Sequence, residues 1–357
     1  MPKLDALFRA LHQQGGSDLH LVAGQTPIMR INGDLVRIKS EPFNDQTVRA
    51  LLREITAPHH WETFESTGDI DFGYEVAGVA RFRCNLFVQK NGAGGVFRLI
   101  PSEIQTCKEL GLPDTIKDLA THHKGLVLVT GPTGSGKSTT LAAIIDEANK
   151  TRNDHILTIE DPVEFVHRSQ MALVNHREVG THTETFASAL RAALREDPDI
   201  ILVGEMRDTE TIRLAIEAAS TGHLVFGTLH TTNAAKTVDR MIEVFPSEEQ
   251  PQIRSTLADS LKAVVAQTLF KTIDTPGRAA ALEIMICTPA ISNLVREGKT
   301  FQIPSAMQTG RNEGMQTLDN AIVELLQQKR IDPTTAFERA INKELILPYL
   351  PRDHPAA

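Results

Sequence analysis

Residues Gly131, Pro132, Thr133, Gly134, Ser135, Gly136, Lys137 and Ser138 follow one another in the spacing GxxxxGK[ST]. Glycines in such a loop let backbone N–H groups turn inward around phosphate oxygens. An apolar, strand-sized run, Gly125–Thr130, precedes the loop, and residues 138–149 behind it read as a helix. The N-terminus of that helix adds partial positive charge to the same spot. Lys137 can then reach the β- and γ-phosphates of a bound triphosphate, and the Ser138 hydroxyl can ligate Mg2+, with Thr139 next in the cradle. ATP and Mg2+ are the expected ligands.

Hydrolysis at such a loop needs a carboxylate near the metal and a base that orients water. Two acidic strand ends offer them. Residues 199–205 form an apolar strand that ends on Glu205, without an aspartate directly before it. Glu205 is expected to help hold Mg2+ together with Ser138, directly or through water. Residues 156–165 place Glu160, Asp161 and Glu164 at the end of another strand, with Pro162 fixing a bend among them. Like charges this close repel unless a cation is near. Glu164 is the expected general base, with Glu160 and Asp161 supporting the site.

These residues must be positioned by two kinds of element. The first hundred residues alternate in short apolar runs broken by Gly24, Pro27 and the turn Asn32-Gly33-Asp34, with a helix over 48–55 and strands over 72–76, 81–89 and 95–100. This predicts a small α+β domain over 1–100, followed by a linker over 101–113. Beyond it, strands at 125–130, 155–159, 200–204 and 223–229 alternate with helices at 138–149, 183–195 and 209–220, predicting a mostly parallel sheet covered on both faces. From about residue 247 the chain reads as mainly helical, with a late strand over 279–286, so the second domain is expected to run over 114–357.

Composition narrows the classes. The chain has 357 residues and a formal charge of −8, with 5% aromatic residues. That balance argues against coating nucleic acid or stacking single-stranded bases, and no direct nucleic-acid partner is expected. No apolar run approaches the roughly 18 residues of a membrane span, and the polar N-terminal stretch lacks the apolar core of a signal peptide. Cys84, Cys107 and Cys287 lie far apart and form no CxxC pair, which reads as reduced, buried thiols in a cytoplasmic protein.

Beyond the loop, further segments are distinctive: the acidic box over 158–165, the run 193–199 leading into Gly204-Glu205-Met206-Arg207-Asp208, and residues 221–232 with His223 and His230. On these segments, and from Gly16-Ser17-Asp18-Leu19-His20-Leu21 through to Gly314-Met315-Gln316-Thr317-Leu318-Asp319, the chain resembles the secretion ATPase superfamily and within it the type IV pilus retraction motors, the PilT family. The resemblance implies a PAS-like N-terminal domain, a RecA-like motor domain, ATP bound between the two, and a homohexamer that works by nucleotide-driven domain rotation. It implies a cytoplasmic enzyme, peripheral at the inner membrane through a pilus platform protein. It assigns the catalytic glutamate to Glu164, a Walker B glutamate to Glu205 and motif histidines to His223 and His230, of which His230 would sense the γ-phosphate. It draws transition-state arginines from the N-terminal domain, where Arg83 and Arg98 match, with Arg81 beside them on the same strand face as Arg83.

Retraction motors carry a late helix reading AIRNLIRE; here it is Ala290-Ile291-Ser292-Asn293-Leu294-Val295-Arg296-Glu297, with Ser292 in place of the first arginine. That change bears on retraction rather than on hydrolysis. Three other readings stay open on the residues: a pilus-assembly or type II secretion ATPase, a DNA-handling RecA-like motor, and a nucleotide-dependent scaffold that does not hydrolyse. The first usually has a further N-terminal domain and a four-cysteine zinc element, the second a basic pore-lining run, and the third would not need Lys137, Glu164 and Glu205 together.

Overall fold

Leu4, Phe8 and Leu11 share one stripe of the first helix, α1 (Leu4–Gln13), and all three are buried. They cover one face of an antiparallel sheet formed by β1 (Gly16–Val22), β2 (Ile28–Ile31) and β3 (Asp34–Arg37), followed after α2 (Asp45–Ile55) and α3 (Pro58–Thr67) by β4 (Asp69–Val76), β5 (Ala80–Gln89) and β6 (Gly92–Ile100). The strand order is β3-β2-β1-β6-β5-β4. Period-two alternation sorts the two faces. Phe82, Cys84 and Leu86 of β5 point into the core, where Phe8 stacks on Phe82 at 4.3 Å and meets Phe97 edge-on at 5.2 Å. The intervening residues Arg81, Arg83 and Asn85 lie on the opposite face and are only partly covered. The computed structural model describes residues 2–31, 33–100, 103–351 and 354. Asn32 and Pro101, expected in a turn and at the head of a linker, fall outside them.

The second sheet is built on α4 (Asp114–Asp118), β7 (Gly125–Thr130), α5 (Lys137–Thr151), β8 (His155–Glu160), β9 (Leu173–Glu178), α6 (Phe186–Ala193), β10 (Ile200–Val203), α7 (Thr209–Thr221), β11 (Leu224–Leu229), α8 (Ala234–Glu243), α9 (Gln250–Ser260), β12 (Leu261–Lys271) and β13 (Arg278–Ile286). Its order is β13-β12-β7-β11-β10-β8-β9. Pairing is parallel from β12 through β7, β11 and β10 to β8, and antiparallel between β12 and β13. Every residue of β7, β10 and β11 is buried, as a sheet covered by helices on both faces requires. α10 (Pro289–Arg296), α11 (Ile303–Thr309), α12 (Leu318–Gln327) and α13 (Pro333–Arg339) complete the chain. The fold is thus a mixed α/β chain in which a smaller α+β domain precedes, along the sequence, a RecA-like parallel sheet.

Two expectations change. β12 lies in a stretch expected to be mainly helical, yet it is an interior strand beside β7. Cys287 is half-buried rather than buried, with its Sγ 3.4 Å from the Ser292 hydroxyl on α10. The chain forms two compact units, and the first takes in more than its leading residues: it comprises Met1–Ile104, Glu160–Val166 and His176–Thr185. The second comprises Gln105–Ile159, His167–Asn175 and Phe186–Ala357.

Candidate active site

In the second unit, the loop from β7 to α5 turns on glycines with positive φ, at +142° for Gly131 and +88° for Gly136. Space reinforces the requirement at both. A Cβ on Gly131 would overlap the Gln267 carbonyl oxygen, and one on Gly136 would lie 2.8 Å from Gln267 Nε2. β12 therefore shapes the loop from beneath. Gln267 also accepts a hydrogen bond from Thr140 Oγ1 at 2.8 Å, pinning the first turn of α5. Lys137 Nζ lies over the loop and donates to the carbonyls of Gly131 at 2.9 Å and Pro132 at 3.2 Å. The Ser135 hydroxyl is buried without a hydrogen-bond partner among the described residues. An orphaned donor, a lysine and open glycine backbone around one turn fit a phosphate chain. Pro132, Thr133 and Gly134 form the exposed rim, and Ser138 and Thr139 are half-buried at the start of α5.

β11 lies between the loop strand and β10, and pairs its Leu229 with Thr130. The residue after β11, His230, is consequently presented beside the loop. Its Nε2 lies 2.8 Å from Glu205 Oε1, just beyond β10, and Arg207 Nε lies 2.5 Å from the same carboxylate oxygen. Burial pushes the Glu205 carboxyl up, but Arg207 and His230 outweigh it and hold the group below the usual glutamate range. His223 precedes the other end of β11, next to Gly125, with its ring Nδ1 3.0 Å from the Ala218 carbonyl oxygen. Six residues of strand, about 20 Å, separate the two histidines.

The remaining expected residues belong to the first unit. Glu160 ends β8, and its Oε2 lies 3.4 Å from the backbone N–H of Glu164. Asp161 is exposed and precedes Pro162 through a cis peptide bond. Arg83 of β5 stands directly across from Arg98 of β6. Each has an acid of its own sheet: Arg83 Nε is 3.6 Å from Asp71, and Arg98 Nε is 3.0 Å from Asp18. Arg81 turns elsewhere, to Val163 and Glu178. Sequence reasoning gave no role to Arg207, Gln267 or Glu178. Arg207 follows Glu205 by two residues and could have been found. Gln267 touches Thr140 from 127 residues away and Glu178 touches Arg81 from 97, so neither pairing shows in local spacing.

Residues 2–331 match the family described as type II/IV secretion system protein. The chain is 57% identical over 328 residues to the type IV pilus retractation ATPase PilT of Pseudomonas aeruginosa, covering 92% of this chain and 95% of that one. It is 51% identical over 339 residues to the twitching motility protein of Neisseria gonorrhoeae, covering 95% and 91% respectively. Among solved structures, the pilus retraction motor PilT with bound ADP superposes with a TM-score of 0.88 at 43% identity, over 96% of this chain and 98% of that one.

Proposed function

The chain belongs to the type II/IV secretion system protein family, and from that premise we propose that it is an ATP-hydrolysing motor that retracts type IV pili. The observation that carries the reading is the Lys137 loop, set between β7 and α5 with glycines at positive φ, in a chain 57% identical to a relative named for pilus retraction.

Each residue has a task. Lys137 leaves the Gly131 and Pro132 carbonyls for the β- and γ-phosphates of ATP. Loop N–H groups and the Ser135 hydroxyl hold the remaining oxygens. Ser138 and Glu205 would hold Mg2+, which when bound neutralises charge on the β- and γ-phosphate oxygens. Glu164 orients a water in line with the γ-phosphorus and takes its proton, as the bond from that phosphorus to the bridging oxygen breaks and ADP leaves. Glu160 and Asp161 shape the acidic segment around it. Arg83 and Arg98 exchange Asp71 and Asp18 for the charge that develops on the γ-phosphoryl group. His230, hydrogen-bonded to Glu205, reports the loss of that group. Six copies form a ring, hydrolysis drives domain rotation within each, and the ring acts at the inner membrane on a platform protein of the pilus machine.

The test is genetic and enzymatic together. A deletion strain should carry excess surface pili and lose twitching. Wild-type protein should restore motility, whereas Glu164→Ala should neither restore it nor turn over ATP once purified. Bald cells would reassign the protein to pilus assembly, and full turnover by Glu164→Ala would remove the proposed base.

A further inference from the structure

We propose that Arg81 and Glu178 act as positioning residues for the catalytic glutamate, by locking the two peptide planes that lead into Glu164. The inference rests on Glu164 as the base assigned above.

Arg81 lies near the start of β5, and Glu178 ends β9, 97 residues later. Their side chains form an ion pair that is largely shielded from solvent, with side-chain exposures of 20% for Arg81 and 4% for Glu178. Between them sits one residue, Val163. Arg81 Nε donates to the Val163 carbonyl oxygen at 2.9 Å, and the Val163 N–H donates to Glu178 Oε2 at 3.0 Å. The carbonyl belongs to the peptide joining Val163 to Glu164, and the N–H belongs to the peptide joining Pro162 to Val163. Peptides are planar, so fixing one polar group in each fixes both planes. What remains free at Glu164 is its own φ and its side-chain torsions. The clamp is itself braced: Thr181 Oγ1 donates to Glu178 Oε1 at 3.2 Å, and the Glu178 N–H donates to His182 Nδ1 at 3.0 Å.

An ion pair this buried needs a reason, since desolvation offsets much of its attraction. Two hydrogen bonds to a single residue beside the base supply one. Both Arg81 Nε and Nη2 are engaged, and a guanidinium fork can serve two acceptors at fixed angles where a lysine cannot. Gly73 on β4 marks how close the pair packs. Its Cβ, if present, would overlap Arg81 Nη2 and lie 3.0 Å from Glu178 Oε2, although its φ is not in the left-handed region. Alanine at position 73 is therefore tolerated by the backbone, and the three atoms nearest its Cβ all belong to the clamp.

Steady-state ATPase assays on Arg81→Lys, Glu178→Gln and Gly73→Ala in the full chain test the proposal. Misplacing a reacting group by about 1 Å can cost about 10²-fold in rate. Each variant should lose roughly 10- to 100-fold in kcat with KM for ATP and affinity for a fluorescent ADP analogue within twofold. The double variant Arg81→Lys/Glu178→Gln should be little worse than either single, because the residues act as one unit. Unchanged kcat in these variants, or a fall in kcat accompanied by equal losses of ADP affinity and Tm, would overturn the assignment. Glu164→Ala in the same assay separates the two ideas: if it turns over ATP normally, the base is wrong, whereas an inactive Glu164→Ala beside fully active clamp variants sinks the clamp alone.

Discussion

Arg83 and Arg98 face each other across two strands, a like-charge pair that the sheet tolerates because Asp71 and Asp18 flank it. Cross-strand like charges are destabilising without such neighbours. Neither ion pair is deeply buried on the arginine side, and Asp18, its side chain 9% exposed, keeps Arg30 Nε at 3.9 Å as a second cation. The double variant Arg83→Ala/Arg98→Ala should lose at least 10³-fold in hydrolysis, given what transition-state arginines contribute elsewhere. Nucleotide affinity, measured by fluorescence titration, should stay within a few fold, and hydrolysis near the wild-type rate would exclude these arginines. At this scale the sequence was informative where function is local. The loop from Gly131 to Ser138 is contiguous, and its geometry follows from its own residue types. Arg81 was visible as a cation on a strand, but its partner lies 97 residues away and nothing in the spacing connects them.

Among the elements, β12 shows where pattern reading ends. Residues from Ala263 to Ala266 are all buried, so neither period two nor period 3.6 stands out. Its placement between β7 and β13 makes it the floor of the nucleotide loop through Gln267, and sets β13 at the sheet edge. β7, β10 and β11 were legible because short apolar runs there alternate with longer helical stretches. On β13, Glu283 is 7% exposed and accepts the N–H of Ala234 at 2.7 Å, at the first turn of α8; it also accepts the N–H of Leu318, at the first turn of α12. Burial pushes its carboxyl up, against those two hydrogen bonds. The neutral form is thus the one the fold prefers, and its contribution is present at low pH and lost as pH rises through the raised value. Glu283→Ala should lower stability by about 1–3 kcal/mol, since it strands buried N–H groups. Glu283→Gln keeps an acceptor and removes the charge, so at pH 8 its Tm should equal or exceed that of wild type. Thermal melts of both variants at pH 8 decide the point, and a Glu283→Gln melt as low as that of Glu283→Ala would contradict it.

For the whole molecule, charge and histidine burial set the response to acid. His20, His60 and His122 are each held below the ordinary histidine value of 6.5, with burial as the leading cause. A depressed histidine favours the neutral form when folded, so the unfolded chain takes up protons first. The histidine contribution to stability should be fully present above about pH 6.5 and should decline as pH falls below it. Calorimetric Tm values between pH 8 and pH 5 check this, and a flat profile would contradict it. No helix among the described residues is long and apolar enough to cross a membrane. The broad division into an α+β domain and a parallel-sheet domain was legible from the change in pattern near residue 100. The return of residues 160–166 and 176–185 to the first unit was not, because only tertiary packing assigns them there.

That return has a consequence for dissection. A fragment ending at Ile104 would keep Arg81 and His60 but leave behind Val163, Glu178 and Gly180, the groups that neutralise the one and cover the other. The leading residues are stitched to the rest of the polypeptide by threads that pass back and forth, so no single cut yields the first unit whole.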